Sequence, residues 1–203
     1  MARIFIAGIS VHVIRRGNNR APIFTDDYDR ELFLALLELG VKRYHVAVHG
    51  YVLMTNHYHL IASPSDADGL RRTMQDLGRE YVLRYNRRHG RIGTLWTGKY
   101  RAIPIRDERY WLTCLRYIEQ NPVRAQIAPT AGDYRWSSFR CHALGERHDW
   151  LARHPVYDAL GSTDVERQSA YRALSLENLA DADMVRQRLQ LEPRKFSEVQ
   201  VPT

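Results

Sequence analysis

Cysteine is scarce: Cys114 and Cys141 are the only two in 203 residues, and they do not form a Cys-x-x-Cys pair. Neither a disulfide framework nor a thiolate zinc site is indicated, and both side chains are expected as small buried residues. Long apolar runs are missing as well. No stretch reaches the roughly 20 residues of a membrane helix, and the N-terminus has no continuous apolar segment like a secretory leader, so a cytoplasmic protein without a membrane partner is expected. No internal repeat or low-complexity tract is visible. Acidic residues are the minority charge: 23 Asp and Glu stand against 30 Lys and Arg, a net charge of +7 and a pI near 9.6. That balance favours a polyanionic partner, although charge alone implies only non-specific attraction. With 44% hydrophobic and 26% charged residues the chain has ordinary globular composition. It is long enough for one well-cored domain, or one domain with an appendage.

Periodicity orders the elements. Residues 9–15 read as a β-branched strand with His12 in its middle. Asp26 or Asp27 can cap a helix reaching about Tyr44, with Leu32, Leu36 and Leu39 on its buried side. Residues 45–54 and 57–63 form two strands joined by the short Thr55-Asn56 turn, and Gly50 marks a bulge or close packing. From 68 to 89 the residues Leu70, Met74, Leu77, Tyr81 and Tyr85 follow one helical stripe. Residues 99–105 make a last strand, and Asp107-Glu108 place acids at the positive end of another helix. The order β-α-β-β-α-β-α predicts an α+β, ferredoxin-like antiparallel sheet with helices packed on one face. Beyond it, residues 164–174 and 181–191 read as two short helices. The expected division is residues 1–140 as a catalytic domain and 141–203 as an auxiliary helical C-terminal segment.

Two stretches carry chemistry. In Asn56-His57-Tyr58-His59 the histidines are spaced i, i+2. On a strand they project from one face about 6–7 Å apart, close enough to share one metal ion, while Tyr58 points to the other face and into the core. A bare His-x-His pair is equally the mark of two alternating core histidines. The second stretch, residues 110–122, has Trp111, Leu115 and Ile118 on one helical face and Tyr110, Cys114, Tyr117 and Asn121 on another. Pro122 is expected to stop that helix at Asn121, one turn from Tyr117. An amide oxygen suits Mg²⁺ or Mn²⁺, and a phenol one turn away could attack a phosphate held by that metal. Tyr110 is the competing nucleophile. Asn121 favours Tyr117, because that tyrosine is its neighbour on the helix. His12, His45 and His49 are assigned structural roles, with His12 the one expected nearest the metal.

These residues resemble a known family. NHYH is similar to the His-bulky-His metal motif, and RYIEQN to the tyrosine helix, of single-tyrosine HUH (IS200-like) transposases, the nearer resemblance being to REP-associated tyrosine transposases. The blocks RRGNNRAPIF, YVLMTNHYHL, NRRHGRIGTLWTGKYR, CLRYIEQNPVRA and DYRWSSF follow in the family's order from about residue 8 to 140. Thr55 departs from the pattern, standing where relatives usually carry proline. The resemblance implies His57, His59 and Asn121 as ligands of Mg²⁺ or Mn²⁺ and Tyr117 as the nucleophile. It further implies a 5′-phosphotyrosyl intermediate with a free 3′-hydroxyl, formed on DNA near palindromic repeats.

Candidate DNA contacts come from two basic regions. One is the loop with Arg15, Arg16, Asn18, Asn19 and Arg20, whose forked donors suit phosphates and base edges. The other comprises Arg72, Arg79, Arg87 and Arg88 on the long helix with Lys99 and Arg101 after it, where cations alternate with Trp96 and Tyr100. That mixture fits single-stranded or hairpin DNA, since cations track the backbone while rings stack on unpaired bases. The expected protein is therefore a strand transferase, monomeric or homodimeric, and nucleoid-associated when bound. Two other classes are a catalytically silent repeat-DNA-binding regulator on the same fold and a water-using metallohydrolase.

Overall fold

A computed structural model describes residues 7–176 together with Val185. Four strands, β1 (Val11–Arg16), β2 (Val46–Met54), β3 (His57–Pro64) and β4 (Arg101–Pro104), form one antiparallel sheet in the order β2-β3-β1-β4. The helices between them are α1 (Asp27–Arg43) and α2 (Gly69–Arg88), followed by α3 (Glu108–Glu119), α4 (Asn121–Arg124), α5 (Phe139–Leu144), α6 (Pro155–Asp158) and α7 (Asp164–Leu176). Element order and strand order are those of the expected ferredoxin-like α+β sheet. The region predicted as a helix over 181–191 lies outside the described residues.

Register decides which side chains share a face. β1 pairs antiparallel with β3 so that Arg16 lies opposite His57, Ile14 opposite His59 and His12 opposite Ile61. Directly opposed residues project to the same side, so His12, Ile14, Arg16, His57 and His59 occupy one face. The other face carries Tyr58, whose ring meets Phe33 of α1 at 4.7 Å and Trp96 at 6.0 Å. There α1 and α2 pack, and the predicted stripe from Leu70 to Tyr85 is buried along its length. Thr73 Oγ1 donates to the Gly40 carbonyl (3.4 Å) where the two helices approach most closely.

Two expectations are corrected here. The buried stripe of α1 is Phe33, Leu37, Gly40 and Val41, whereas Leu32 and Leu36 are only partly covered and Leu39 is 66% exposed. Leucines surround this helix, so periodicity admits two stripes and the fit against α2 and the sheet selects one. Helices also cover both faces of the sheet, not one: α3 lies on the histidine face. At Gly50, beside a register shift in β2, a β-carbon would overlap Leu115 Cδ1 of α3. Close packing of helix on strand is thus the reason for that glycine.

The chain beyond α4 covers the outer edge of β2. Leu53 N–H donates to the Trp136 carbonyl (2.9 Å), Ser138 N–H to Tyr51 (3.0 Å) and Ala152 N–H to Val48 (2.8 Å), satisfying groups that an open edge would present for aggregation. The same segment holds α3 through Glu119, which is fully buried and accepts from Ser138 Oγ (2.5 Å), His142 Nδ1 (2.8 Å) and Tyr171 OH (2.5 Å). Cys114 is buried, while Cys141 is half-buried.

Candidate metal and nucleophile site

The β2–β3 hairpin turns on Thr55-Asn56, and both residues are used through their polar groups. The Thr55 carbonyl accepts from Ile23 N–H (2.8 Å) and Phe24 N–H (3.2 Å), and the Asn56 carbonyl accepts from Gly17 N–H (2.8 Å). Asn56 Nδ2 donates to the Arg20 carbonyl (3.1 Å), so the turn is tied to the arginine loop. These contacts use the Thr55 carbonyl, a group that threonine and proline offer alike. Asn56 Oδ1 lies 2.7 Å from His57 Nδ1. An amide oxygen only accepts, so Nδ1 carries the proton and the His57 Nε2 lone pair is left available.

The two imidazoles sit together. Their centroids are 5.2 Å apart, with the rings nearly perpendicular. His59 is buried, and its Nδ1 lies 2.8 Å from Nε2 of equally buried His12. A ligand role for His59 through Nε2 requires its Nδ1–H to donate to His12, so His12 sits behind the pair as an orienting partner. Burial holds all three in the neutral form that can ligate a metal. Desolvation pushes His12 down to about 3. Desolvation and then the Arg16 charge push His57 down to about 3. His59 falls well below its ordinary value through desolvation, then His12, His57, Arg16 and Arg124. Of the other two histidines expected to be structural, His49 bridges the Ala152 carbonyl and Ser63 Oγ (both 2.9 Å), and His45 occupies a left-handed turn position before β2.

Tyr117 of α3 meets His59 edge-on, with centroids 6.2 Å apart. Among the described residues it is the tyrosine whose ring abuts the histidine pair; Tyr110 lies two turns earlier. Tyr117 is only 4% exposed. Arg124 lies over its ring, Cζ 4.1 Å from the centroid, and Arg124 Nη2 donates to the Tyr117 carbonyl (2.6 Å). The helix was expected to stop at Asn121. Instead α3 ends at Glu119, Gln120 keeps helical dihedrals, and Asn121 opens α4. Pro122 removes one N–H and interrupts the helix without redirecting the chain. Arg124 was missed by sequence reasoning, although its position seven residues after Tyr117 on a resumed helix was a usable signal. Asn121 is half-buried, and its Nδ2 is buried without a hydrogen-bond partner. Because amide oxygen and nitrogen are assigned from their surroundings, the orphaned end marks a place for a further ligand of the carboxamide. Among the described residues no three His, Cys, Asp or Glu side chains form a metal-binding group, so a metal held by the imidazole pair would need a donor of another type.

The basic residues divide between the two faces. Arg16 and Arg101 lie on the histidine face, Arg101 in register with Ile14. Asn18, Asn19 and Arg20 are exposed in a short turn beside the hairpin, with Asn19 (φ 49°) and Arg20 (φ 59°) in the left-handed region. Arg15 faces the other way. It lies 4.4 Å from the Trp96 ring and lines a groove of about 1140 Å³ with Arg71, Arg79, Arg87, Arg91 and Lys99, whose floor includes Met74 and Tyr100. Lys99 and Arg101 flank Tyr100 and so join the two basic surfaces around β4. Arg72 is exposed on α2. Arg88 is set apart, held by Asp26 (2.5 Å) and buried Asp29 (2.7 Å).

Comparison with known proteins bears on the fold and the family. Residues 6–121 match the family described as transposase, IS200-like. A REP-associated tyrosine transposase bound to a REP hairpin superposes with a TM-score of 0.57 at 18% identity, covering 76% of this chain and 91% of that one. A presumptive transposase from Deinococcus radiodurans (TM-score 0.41, 14% identity, 63% and 91% covered) and a tRNA(His) guanylyltransferase from Saccharomyces cerevisiae (0.41, 12%, 88% and 82%) are more distant. No curated protein sequence matches the chain. Among the described residues no helix is long and apolar enough to cross a membrane. The family match spans more than half of the sequence, and the chain belongs to the IS200-like transposases.

Proposed function

We propose that the protein is a metal-dependent single-stranded DNA endonuclease and strand transferase that cuts near palindromic repeat hairpins through Tyr117, in the manner of REP-associated tyrosine transposases. The observation that carries this reading is the cluster itself: two neutral imidazoles 5.2 Å apart, a phenol ring 6.2 Å from one of them, and an orphaned carboxamide amide on the next turn. His57, His59 and Asn121 would hold Mg²⁺ or Mn²⁺, with DNA oxygens completing the shell, since hard divalent ions favour oxygen ligands. When bound, the ion supplies Lewis-acid polarisation of the scissile phosphate.

The chain's own groups do the rest. Tyr117 Oη loses its proton and attacks phosphorus. The P–O3′ bond breaks, the departing oxygen takes up a proton as a free 3′-hydroxyl, and a 5′-phosphotyrosyl diester remains. Attack by a 3′-hydroxyl reverses these steps, so rejoining needs no nucleotide cofactor. His12 keeps the His59 ring in orientation. Arg16, Arg20 and Arg101 receive the strand on the histidine face, while Arg15, Arg79, Arg87 and Lys99 hold it in the α2 groove. Asn18, Asn19 and Arg72 add exposed donors. Residues 1–140 carry the chemistry, with 141–203 as an auxiliary segment, in a cytoplasmic protein that acts as a monomer or homodimer.

A second reading, a silent repeat-DNA-binding regulator, is favoured by one observation, the burial of Tyr117 at 4% exposure. Incubation with a single-stranded hairpin oligonucleotide and Mn²⁺, followed by a denaturing gel, separates the two. A covalent protein–DNA band that disappears in Tyr117→Phe is expected. Tight binding with no adduct would leave the regulator reading, and cleavage without adduct would point to water as the nucleophile.

A further inference from the structure

We propose that Arg124, assisted by Arg16, is a catalytic phosphate clamp that moves from the ring of Tyr117 onto the scissile phosphate as the tyrosine attacks. The inference rests on Tyr117 being the nucleophile, and it adds an electrophilic partner that the metal ligands do not provide. Arg124 touches the reacting residue itself, its Cζ 4.1 Å from the phenol centroid. Its Nη2 bond to the Tyr117 carbonyl ties the guanidinium to the backbone of the nucleophile. Arg16 ends β1 opposite His57, on the histidine face and exposed to solvent. It interacts electrostatically with the Tyr117 phenol and with two further cations, Arg20 and Arg101. Arg124 over the phenol and Arg16 opposite His57 thus set two guanidiniums beside two uncharged imidazoles and a phenol, a distribution that attracts an anion.

Phosphoryl transfer needs such groups. As Oη bonds to phosphorus and the P–O3′ bond lengthens, negative charge builds on the non-bridging oxygens, where a preformed forked cation is most effective. The clamp neither gives nor takes a proton: the phenol proton leaves to solvent, and the departing O3′ gains one. Residence over the ring also accounts for the burial of Tyr117, because the side chain covering the phenol is one that an incoming phosphate can draw away.

The test is single-turnover adduct formation by the full chain with a hairpin oligonucleotide and Mn²⁺, with DNA affinity measured separately in a Tyr117→Phe background. Arg124→Ala is expected to slow adduct formation by about 100-fold or more, to change affinity by less than about tenfold, and to recover partly when guanidinium is added at non-denaturing concentration. Arg124→Lys should stay impaired, since lysine has no fork, and Arg16→Ala should slow the reaction less. If Arg124→Ala fails to fold by thermal denaturation, Arg124→Gln, which keeps a donor for the Tyr117 carbonyl, takes its place. Wild-type rates in these variants, or a rate loss matched by an equal affinity loss without rescue, overturn the clamp alone. A wild-type protein that forms no adduct overturns the nucleophile assignment and the clamp with it.

Discussion

Lowering the pH from 7.5 to 5 should destabilise this protein far more than a domain with exposed histidines. His12 and His59 are buried together, His57 stands beside them, and His49 is buried on β2. Desolvation drives His12 and His57 from 6.5 to about 3 and His49 to about 4, and drives His59 well below its ordinary value. The folded values lie below the unfolded one, so between them the unfolded chain binds more protons and stability rises with pH. The contribution is complete above about pH 6.5 and is lost as the pH falls towards the folded values. At pH 5 each independent site costs about 2 kcal/mol. Counting the hydrogen-bonded His12–His59 pair once, His57 once and His49 once gives about 6 kcal/mol, a large share of a stability of roughly 5–15 kcal/mol. For a chain of this size the melting midpoint should drop by about 12–24 °C. Asp26, held at about 2 chiefly by its hydrogen bond to Arg88, stays ionised throughout and does not contribute. Thermal denaturation followed by circular dichroism across this range is the assay, with His49→Gln as the control in which about a third of the drop should vanish. A midpoint that is flat from pH 7.5 to 5, or a drop unaltered in His49→Gln, would refute the reasoning.

Other consequences are equally direct. Glu119→Ala strips the shared acceptor from Ser138, His142 and Tyr171. It should cost about 3–5 kcal/mol, seen as a melting point lower by about 6–20 °C, whereas Glu119→Gln, which keeps an acceptor oxygen, should lose less. Replacing Arg79, Arg87 and Lys99 together by alanine removes three cations from the α2 groove. The slope of log affinity for single-stranded DNA against log salt should then fall by about 2. Arg88→Ala should leave that slope unchanged, because Arg88 is already paired with Asp26 and Asp29.

Much of this protein was legible without coordinates. Alternation along 57–63 put both histidines on one face of a strand, and the Thr55-Asn56 spacing implied a tight hairpin. The stripe from Leu70 to Tyr85 named the buried side of α2. Each of these is a local property, carried by the two- or 3.6-residue repeat of a single element. Periodicity says which face of an element is covered but not by what. Periodicity alone could not place α3 on the histidine face with Leu115 against Gly50, and only inter-strand register brought His12 to 2.8 Å from His59, 47 residues away. The choice between the two leucine stripes of α1 depended on α2 and the sheet. Pro122 announced an end to the tyrosine helix, yet the tertiary structure let the helix resume and laid Arg124 over Tyr117. The chemical groups were written in the chain; their convergence was decided by long-range packing, whose contacts no local repeat encodes.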